Sequence, residues 1–539
     1  MRSDLPMPDW TIGPDGLRQG LTAPPVPASP ATIPGLIAAL EGDDPLLIDR
    51  AGTLGRARVR QLAEAGAAAL LAAGIRPGDR VAASAASGNP LILAFLAVQR
   101  MGAVWVGLNA SMTSDELRAV LADCGARLLI ADDAVADRLA DGPCPEMIWR
   151  IGTDWADRLL AGEGQPVPPH APDPQAPAAI AYTSGTTGLP KGAVHTNHSI
   201  LTFVWGGLQS GLGGHWTPGL RRSVTIPLTI LNGMNFGPLT AMAGGGAYVA
   251  MDRVDAPGVA EWIERGRIEM LGSTPTTILD IVTRPEMARF DLSSLRFAFT
   301  GGAAGSATLR EAFRARVGSE LCEVYGMTES PSGVTSSTVD RPPEPGGVGR
   351  ALPHIDLRAL DAGGRVLPPG ETGELCLRAV QDGPWAGVYT GFLGYWNKPE
   401  ETAKTFAGGW LHTGDMGTVD ADGNVAIVGR KKDMIIRGGA NIYPAEVERV
   451  LASHPAVLES VVAGLPDDRL GEVVAVWLRP AAGAEDAALV ADLHRLCQQK
   501  LSRYKVPARW FLTADFPRNA MNKVLKDRLP GLPAREVSP

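Results

Sequence analysis

Units in which a helix precedes a short apolar strand recur along the chain, and this alternation constrains the fold most strongly. The segment Thr113–Gly125 illustrates one such unit. Thr113 with Glu116 three positions later is the pattern of a helix capping box, and Gly125 suits a helix C-terminus. The apolar stretch Ala126–Asp132 that follows is predicted as a short buried strand. Repetition of such units predicts an α/β fold with largely parallel sheets.

The chain is long enough to require more than one domain. A length of 539 residues exceeds what one hydrophobic core usually organises. A boundary is expected near Val428–Gly439, because a compact pattern follows it: a helix from Pro444, two strands, and a helix around Leu489–Leu501. The sequence therefore predicts a large N-terminal domain of α/β subdomains over residues 1–431 and a small α+β C-terminal domain over residues 432–539, joined by a hinge.

Charge and cysteine content exclude several classes of protein. The net charge is −8 and the basic residues form no block, which argues against nucleic acid as a partner. The five cysteines show no metal-binding spacing and are expected to be reduced thiols. The N-terminus lacks a signal-peptide pattern, and the apolar run Leu91–Val98 is too short to cross a bilayer. These features predict a cytoplasmic protein with no integral membrane segment, and they leave a homodimer open.

A loop rich in glycine and hydroxyl residues lies in the stretch AYTSGTTGLPKGAVH, Ala181–His195. It is not a Walker A loop, because Pro190 precedes the lysine and Gly192 takes the place of the magnesium-binding hydroxyl. Its exposed backbone N–H groups, four hydroxyls and single cation nevertheless suit a phosphate group. An ordinary surface turn is the alternative, but such turns seldom need four hydroxyl side chains together. Phosphate binding is the favoured interpretation.

The same stretch resembles the phosphate loop of the adenylate-forming superfamily, which includes acyl-CoA synthetases, peptide-synthetase adenylation domains and luciferases. Further blocks typical of that superfamily follow in order: VYGMTES at Val324–Ser330, GETGELCLR at Gly370–Arg378, GYWNKPEET from Gly394, WLHTGD ending at Asp415, GRKKDMIIRGGANIYPAEVE at Gly429–Glu448, and a lysine, Lys523, near the C-terminus. The resemblance covers nearly the whole chain. It implies that a carboxylic acid is joined to the α-phosphate of ATP and that the acyl-adenylate is then attacked by a thiol.

The resemblance assigns phosphate and metal binding to two blocks. It implies that Thr328 donates to a phosphate oxygen and that Glu329 holds Mg²⁺, a hard cation suited to carboxylate oxygens. Read by itself, the stretch around Thr328 is equally typical of a helix start capped by that threonine. The phosphate-loop residues implied are Thr183, Ser184, Gly185, Thr186, Thr187, Gly188 and Lys191.

Adenosine binding is implied for residues from three of these blocks and for the stretch GGAA, at positions 301–304, before them. Tyr325 would stack on adenine, Asp415 would accept hydrogen bonds from the ribose hydroxyls, and Arg430 would add a ribose contact. Without the resemblance, Asp415 after a glycine is equally typical of a turn. The remaining residues implied for this site are Gly302 and Ala303, which form the wall opposite Tyr325, and Gly326.

The C-terminal blocks are implied to serve both half-reactions. Lys523 would bridge the carboxylate and the α-phosphate, although Asn522 stands where a glycine usually precedes that lysine. Lys432 matches the hinge about which the C-terminal domain rotates between half-reactions. Gly438 and Gly439 would line the tunnel for the pantetheine arm of coenzyme A. A tight turn between a strand and a helix is the alternative interpretation of the two glycines, and it is compatible with the first.

The acyl group is expected to be hydrophobic. In the stretch Ile226–Gly237, Thr229 and Ile230 replace the aromatic–histidine pair common in the family, and no carboxylate appears to hold an amino group. A fatty or aromatic acid is therefore favoured over an amino acid. The residues expected to line the pocket are Ile230, Asn232, Gly233 and Thr276.

These inferences predict an AMP-forming acyl-CoA ligase that uses ATP, Mg²⁺ and coenzyme A on a small carboxylic acid. One alternative is a stand-alone adenylating enzyme that loads an acyl carrier protein. Another is a nucleotide-binding scaffold that retains the fold without catalysis, which the presence of Glu329, Asp415, Arg430 and Lys523 opposes. The segment Gln381–Leu393 is longer than usual in the family and is expected to form a loop of its own.

Overall fold

A computed structural model describes residues 10–141, 145–170, 173–183, 190–210, 215–301, 307–344, 346–481, 486–518 and 524–539. Contacts between Cα atoms divide the chain into two compact units. The first unit comprises residues 1–357 and 377–412, and the second comprises residues 358–376 and 413–539. Each unit is described below by itself.

The first unit contains a mainly parallel sheet of seven strands that carries the phosphate-loop stretch. Four parallel pairings build its centre, and the strand Lys191–Thr196 lies antiparallel between its two neighbours. In spatial order the strands are Gly394–Tyr395, Lys191–Thr196, Pro177–Thr183, Val104–Gly107, Arg80–Ser84, Leu128–Ala131 and Met147–Arg150.

Helices against this sheet follow the local rules read from the sequence. The helix Ser114–Cys124 has the capping box of Thr113 and Glu116 and ends at Gly125 in the left-handed conformation, as predicted. The strand Leu128–Ala131 is wholly buried, which confirms the predicted unit. Helices of this part of the chain are Ile33–Ala38, Arg56–Ala72, Asn89–Arg100, Ser114–Cys124, Asp133–Leu139, Asp154–Gly162 and Asn197–Ser210.

A second sheet of the first unit is parallel over six consecutive strands and antiparallel at both ends. Its strands, in spatial order, are Gly347–Ala351, Ser330–Ser336, Leu321–Met327, Phe297–Gly301, Met270–Ser273, Arg221–Val224, Ala247–Val249, Pro45–Asp49 and Gly52–Gly55. Helical segments of this region are Leu231–Met234, Asn235–Leu239 (a π-helix), Thr240–Ala243, Ala256–Gly266, Pro275–Thr283, Pro285–Arg289 (a 3-10 helix) and Ala307–Val317. Two short antiparallel strands, Thr11–Ile12 and Arg18–Gln19, come before the strands of both sheets in the sequence.

Several shorter elements complete the chain before residue 431. The strands are Ile355–Leu360, Gly373–Ala379, Leu411–Val419 and Asn424–Arg430, and the helices are Pro399–Thr405 and the 3-10 helix Ala407–Gly409.

The second unit contains an α+β module near the C-terminus, as the sequence predicts. A core of buried aliphatic side chains with Trp510 joins its sheet to the helices Pro444–Leu451 and Asp486–Lys500. The sheet consists of Ala440–Ile442, Ile435–Arg437, Gly471–Pro480, Arg509–Leu512 and Arg535–Glu536, with Val457–Asp467 paired to Gly471–Pro480. Short 3-10 helices are Lys431–Asp433, Arg503–Lys505 and Lys526–Gly531.

One local interpretation of the sequence was wrong. Thr328 does not cap a helix: the segment Leu321–Met327 is a strand that turns back through Thr328 and Glu329 into the antiparallel strand Ser330–Ser336. Pairing with two neighbouring strands outweighs the local capping preference. The predicted division of the chain at residue 432 remains a prediction.

Four of the cysteines lie within the described residues, and all four are buried free thiols. Burial raises the pKa of Cys124 to about 11 and that of Cys322 to about 12, so both remain protonated near neutral pH. Cys144 lies outside the described residues. Among the described helices, none is both long enough and apolar enough to cross a membrane.

The segment Gln381–Leu393 forms a chain of turns rather than a loose surface loop. Trp385 and Val388 are buried against Val26. The ring of His198 makes a hydrogen bond of 2.7 Å with the Val388 carbonyl, which anchors the segment on the helix Asn197–Ser210. The segment is therefore packed against the rest of the first unit through Trp385 and Val388.

Candidate active site

The phosphate-loop stretch joins two paired strands of the first unit. Thr183 ends one strand, Lys191 begins the next, and the two residues face one another in the antiparallel register. The pairing holds both ends of the loop on a buried sheet. The other implied loop residues, Ser184, Gly185, Thr186, Thr187 and Gly188, lie outside the described residues.

The Lys191 side chain forms an ion pair with Glu401. Lys404 lies on the other side of the same carboxylate, with its Nζ atom 3.1 Å from Oε1. The hydrogen bond from Lys191, with a smaller contribution from that of Lys404, holds the pKa of Glu401 below its usual value, so the carboxylate stays ionised. The ammonium group of Lys191 also lies 5.4 Å from the centre of the Tyr395 ring. The loop cation is thus positioned by residues of the GYWNKPEET block.

Glu329 is held by the same tyrosine. The Tyr395 hydroxyl donates a hydrogen bond to Oε1 of Glu329, and Phe392 N–H donates to the Glu329 carbonyl at 2.8 Å. Burial raises the pKa of Tyr395 well above its usual range, and the adjacent Glu329 carboxylate adds to the shift, so the phenol remains a donor. Among the described residues, no side chain donates to Oε2 of Glu329. As far as the described residues show, one carboxylate oxygen is therefore open to a ligand.

Arg18, from the N-terminal segment, supports the turn behind Glu329. Its Nη2 atom donates to the Thr390 carbonyl at 2.5 Å and also to the Phe392 carbonyl. Because Phe392 donates in turn to Glu329, the guanidinium lies two hydrogen bonds from the carboxylate-bearing residue.

His195 is a further buried group close to Thr328. Its side chain is inaccessible to solvent, and burial lowers the pKa of the imidazole to about 3 despite the adjoining Thr328 backbone. Neither ring nitrogen has a well-formed hydrogen bond within the described residues. The imidazole is therefore neutral at all physiological pH values.

Tyr325 and Gly326 lie near the end of the strand Leu321–Met327, where the pairing with the next strand becomes irregular. A Cβ atom on Gly326 would lie 1.6 Å from the Ser332 carbonyl oxygen. Ser332 itself has φ of 93°, a conformation that is costly for a residue with a side chain. The close approach of the two backbones therefore requires glycine at position 326. The opposite wall implied by the resemblance, Gly302 and Ala303, lies outside the described residues.

Replacing Gly326 with alanine is expected to destabilise the protein by about 3 kcal/mol, because the methyl group would overlap the Ser332 carbonyl oxygen and force the backbone to shift. Chemical denaturation followed by tryptophan fluorescence measures the change. The control is Gly207→Ala on the helix Asn197–Ser210, where a Cβ atom meets nothing within 4 Å and alanine favours the helix. Equal stability of the two variants would contradict the proposed close approach.

A cluster of amide and hydroxyl groups marks the region expected to bind the acyl group. Asn235 Nδ2 donates to the Ser332 hydroxyl at 3.1 Å, and that hydroxyl donates to Asn232 Oδ1 at 3.3 Å. Asn235 begins a π-helix, an irregularity common at functional sites. The rings of Phe203 and Phe236 pack edge to face, 4.8 Å apart, and Phe203 also approaches Gly333, next to Ser332. The cluster is polar at its centre with aromatic residues beside it.

The other residues predicted for the acyl pocket differ in burial. Gly233 is buried and a Cβ atom there would lie 2.5 Å from the Pro227 carbonyl oxygen. Ile230, directly before the helix Leu231–Met234, is half-buried, whereas Thr276 is exposed on the first turn of the helix Pro275–Thr283. Their contribution to a pocket remains a prediction.

The second unit brings together the two residues implied for ribose binding. Asp415 and Arg430 are directly paired between neighbouring antiparallel strands, and Arg430 Nε lies 3.0 Å from Asp415 Oδ1. Asp415 is 5% exposed, whereas the Arg430 side chain is 45% exposed. Gly414 N–H donates to Glu374 at 3.2 Å, and Glu374 binds Lys431 at 2.9 Å. A buried carboxylate is thus held by a paired arginine in a hairpin of two antiparallel strands.

Lys432 and the two glycines of the C-terminal block lie close in sequence to this hairpin. Lys432 is exposed in the 3-10 helix Lys431–Asp433. Gly438 and Gly439, with φ of 57° and 83°, form the two-residue turn between Ile435–Arg437 and Ala440–Ile442. The turn is tight, as the sequence suggested, but it joins two strands instead of a strand and a helix. Its role beside coenzyme A remains a prediction. Lys523 lies outside the described residues.

Sequence reasoning missed three parts of this arrangement. They are the contacts of Tyr395 with Glu329 and of Glu401 with Lys191, the hydrogen bonds from Arg18 to the turn behind Glu329, and the hydrogen bond between Asn235 and Ser332. Glu401 lies 210 positions from Lys191, and Ser332 lies 97 positions from Asn235. A single sequence carries no signal for contacts over such separations. The strand pairing of Ala193 with Tyr395 is what brings the GYWNKPEET block beside the loop lysine.

Comparison with known proteins agrees with this arrangement. Residues 37–393 match the family described as AMP-binding enzyme, and residues 446–523 match the AMP-binding enzyme C-terminal domain. The fatty acid–[acyl-carrier-protein] ligase ScoC of Streptomyces coeruleorubidus is 34% identical over 496 residues, which cover 87% of this chain and 90% of that protein. An indoleacetate–CoA ligase of Aromatoleum aromaticum is 34% identical over 499 residues, which cover 90% and 94%.

The fold agrees equally with a solved structure. The anthranilate CoA ligase AuaEII, crystallised with anthranoyl-AMP, superposes with a TM-score of 0.83 at 25% identity, covering 93% of this chain and 96% of that one. The matched family spans well over half of the chain and includes the loop lysine, Lys191, and Glu329. The chain therefore belongs to the AMP-binding enzyme family of the adenylate-forming superfamily.

Proposed function

We propose that this protein is an acyl-CoA ligase, which converts a hydrophobic carboxylic acid to its acyl-adenylate with ATP and then transfers the acyl group to coenzyme A. The observation that carries the proposal is the position of Tyr395. Its ring lies 5.4 Å from the Lys191 ammonium, and its hydroxyl binds Glu329. One side chain thus links a phosphate-binding cation to a carboxylate suited to a metal ion.

Adenylation brings a carboxylate to a polyphosphate, so the site must neutralise negative charge. Lys191 supplies a cation at the end of the phosphate loop, and Glu401 keeps it oriented. Thr328 lies in the turn beside Glu329, and its hydroxyl would donate to a phosphate oxygen. Asp415 would accept the ribose hydroxyls, with Arg430 as a second contact, and Tyr325 would stack on adenine.

Magnesium fits the donor set at Glu329. The carboxylate is half-buried, one oxygen is held by Tyr395, and the other has no hydrogen-bond donor among the described residues. Hard oxygen ligands of this type suit Mg²⁺, which usually shares its coordination with phosphate oxygens. Bound there, the ion would supply positive charge beside the phosphates. Tyr395 would fix the direction in which the carboxylate points.

The Tyr395→Phe variant is expected to need about three- to tenfold more Mg²⁺ for half-maximal adenylation, because Glu329 loses the hydrogen bond that orients it. ATP–pyrophosphate exchange, measured over a range of Mg²⁺ concentrations, provides the test. The matched control is Tyr182→Phe, which removes a phenol–carboxylate hydrogen bond of 2.5 Å to Asp123 and leaves Glu329 untouched. An unchanged Mg²⁺ requirement in Tyr395→Phe would refute the assigned role.

A hydrophobic acid is favoured by the residues around the acyl region. The cluster of Asn232, Asn235 and Ser332 is uncharged, and Phe203 and Phe236 lie next to it. Burying the ammonium group of an amino acid there without a carboxylate would be costly. A panel of fatty, aryl and amino acids, assayed for AMP formation with ATP, Mg²⁺ and coenzyme A, tests this class.

The proposal and its main alternative differ in the thiol that accepts the acyl group, which is coenzyme A in the first and an acyl carrier protein in the second. Relatives of similar identity include a ligase named for an acyl carrier protein and one named for coenzyme A. We favour coenzyme A because the Gly438–Gly439 turn presents little side-chain bulk, which suits the entry of a narrow pantetheine arm. AMP release that rises with coenzyme A supports this acceptor. AMP release that requires an acylatable carrier protein instead would establish the alternative.

Domain rotation is proposed to occur about Lys432. Proline at this position fixes φ near roughly −65° and restricts the torsion that a hinge must change. The Lys432→Pro variant is expected to retain adenylation and to lose thioester formation by at least about tenfold. Pyrophosphate release and acyl-CoA yield are measured side by side, with Lys432→Ala as the control that keeps the backbone free. Wild-type acyl-CoA yield from the proline variant would place the hinge elsewhere.

A non-catalytic scaffold is the remaining alternative. It predicts that no acid elicits pyrophosphate release although ATP binds. The buried carboxylate of Asp415 and the paired Lys191 are both retained, which favours a working site.

A further inference from the structure

A cavity of about 300 Å³ lies within the first unit, next to the N-terminal segment. Its walls include Trp10, Arg18, Thr22, Arg378, Tyr389 and Phe406. The volume is at the lower end of the range for small-molecule sites. Aromatic rings and two arginines therefore surround a space to which the proposed ligase reaction assigns no ligand.

Arg18 is the central polar group of this cavity. Its side chain is among the most buried of the charged residues, at 6% exposure. Nη2 donates to two carbonyls and Nε donates to a third, Leu393, at 3.4 Å. The guanidinium carbon lies 3.9 Å from the centre of the Phe406 ring and 5.2 Å from that of Trp10. Nη1 has no hydrogen-bond acceptor among the described residues.

The charge of Arg18 is not compensated by any carboxylate in the described part of the chain. Burial lowers the pKa of the guanidinium to about 9, so it remains charged at neutral pH. The second arginine differs, because Arg378 Nε lies 2.8 Å from Asp356 and the group stacks on Trp410 at 4.2 Å. The cavity therefore carries one net positive charge from its described residues, and a buried unpaired charge is costly.

The remaining walls favour a flat apolar body. Phe406 and Trp10 pack edge to face, with ring centres 5.7 Å apart, and Tyr389 is 8% exposed. The hydroxyls of Tyr389 and Ser330, both buried, adjoin one another without completing a hydrogen bond. A ligand with one anionic group and an aromatic ring would match the single charge and the aromatic walls.

We infer that this cavity binds a small aromatic monoanion, an arylcarboxylate or arylsulfonate, with its anionic group on Arg18. A carboxylate would accept from the unused Nη1 atom while its ring packs beside Phe406 and Trp10. A phosphomonoester, with nearly two negative charges at neutral pH, would exceed the one available positive charge. The inference does not rest on the ligase reaction, since the cavity is lined by neither Lys191 nor Glu329.

The test uses benzenesulfonate, because a sulfonate keeps the shape and charge while offering no carboxylate to adenylate. Isothermal titration calorimetry with the full chain at low ionic strength compares wild type with Arg18→Met and Thr22→Trp. The first removes the charge. The second leaves Arg18 in place and narrows the cavity from an exposed position, so its folding risk is small. The control is Arg138→Met, an exposed arginine that also donates to backbone carbonyls, at 2.9 and 3.1 Å.

Both cavity variants are expected to weaken benzenesulfonate binding by about tenfold or more, because Arg18→Met removes a charge-assisted hydrogen bond and Thr22→Trp fills the space that the ligand ring would occupy. Arg138→Met should bind like wild type. Wild-type affinity in Arg18→Met and Thr22→Trp would overturn the inference, as would the absence of binding to wild type. Tighter binding of phenyl phosphate at pH 8, lost in Arg18→Met, would overturn the assignment to a monoanion.

Discussion

The Lys523→Ala variant is expected to lose adenylate formation by about a hundred- to a thousandfold while still converting pre-formed acyl-AMP to thioester. The resemblance places this lysine between the substrate carboxylate and the α-phosphate, where charge is neutralised only in the first half-reaction. Removing one group that stabilises developing charge typically costs a factor of this size. ATP–pyrophosphate exchange measures the first half-reaction, and coenzyme A-dependent consumption of acyl-AMP measures the second.

The control for this experiment is Lys526→Ala, three positions later. Lys526 already binds Glu448 at 3.1 Å and the Val462 carbonyl at 3.0 Å, so its role is structural. We expect that variant to lose some stability and to keep both half-reactions in the wild-type ratio. If Lys523→Ala slowed both half-reactions equally, a single closed arrangement of the two domains would be indicated, and the proposed rotation would be wrong.

The Asp415→Ala variant is expected to raise the KM for ATP by about tenfold to a hundredfold and to change kcat much less. Hydrogen bonds from the ribose hydroxyls to a carboxylate are present in both the ground state and the transition state, so their loss appears mainly in KM. The substitution should leave the fold intact, because its partner Arg430 is 45% exposed and regains water when the carboxylate is removed.

Two further variants separate the contribution of the Asp415 charge from that of its neighbour Arg430. Asp415→Asn keeps one acceptor oxygen and should have an intermediate KM. Arg430→Met removes the neighbouring cation and should raise the KM only a few-fold, since the carboxylate remains. A fall in kcat with a normal KM for ATP in Asp415→Ala would contradict the ribose assignment.

Local rules predicted local structure well. The cap of Thr113 with Glu116, the left-handed Gly125 and the helix from Pro444 each depend on residues within one or two turns, and each is confirmed. The wrong prediction of a helix cap at Thr328 also came from a local rule. Capping is a local preference, whereas the strand Leu321–Met327 is stabilised by pairing with Phe297–Gly301 and Ser330–Ser336.

The family and its chemistry could be predicted because the signature blocks are contiguous in sequence. The contacts that orient their side chains could not. Tyr395 and Glu329 lie 66 positions apart, and the hydrogen bond between them depends on where a two-residue strand, Gly394–Tyr395, joins the sheet. Such a short strand has almost no pattern of its own, so its pairing is decided by packing rather than by propensity.

The N-terminal segment has a practical consequence for how this protein is shortened or recombined. The family match begins at residue 37, yet Arg18 reaches across 372 to 375 positions to the carbonyls of the turn that supports Glu329. A chimera or truncated chain designed on the family boundary would discard that support while keeping every signature block. Residues 10–36 therefore belong with the catalytic body in any exchange of domains between relatives, although they precede the family match.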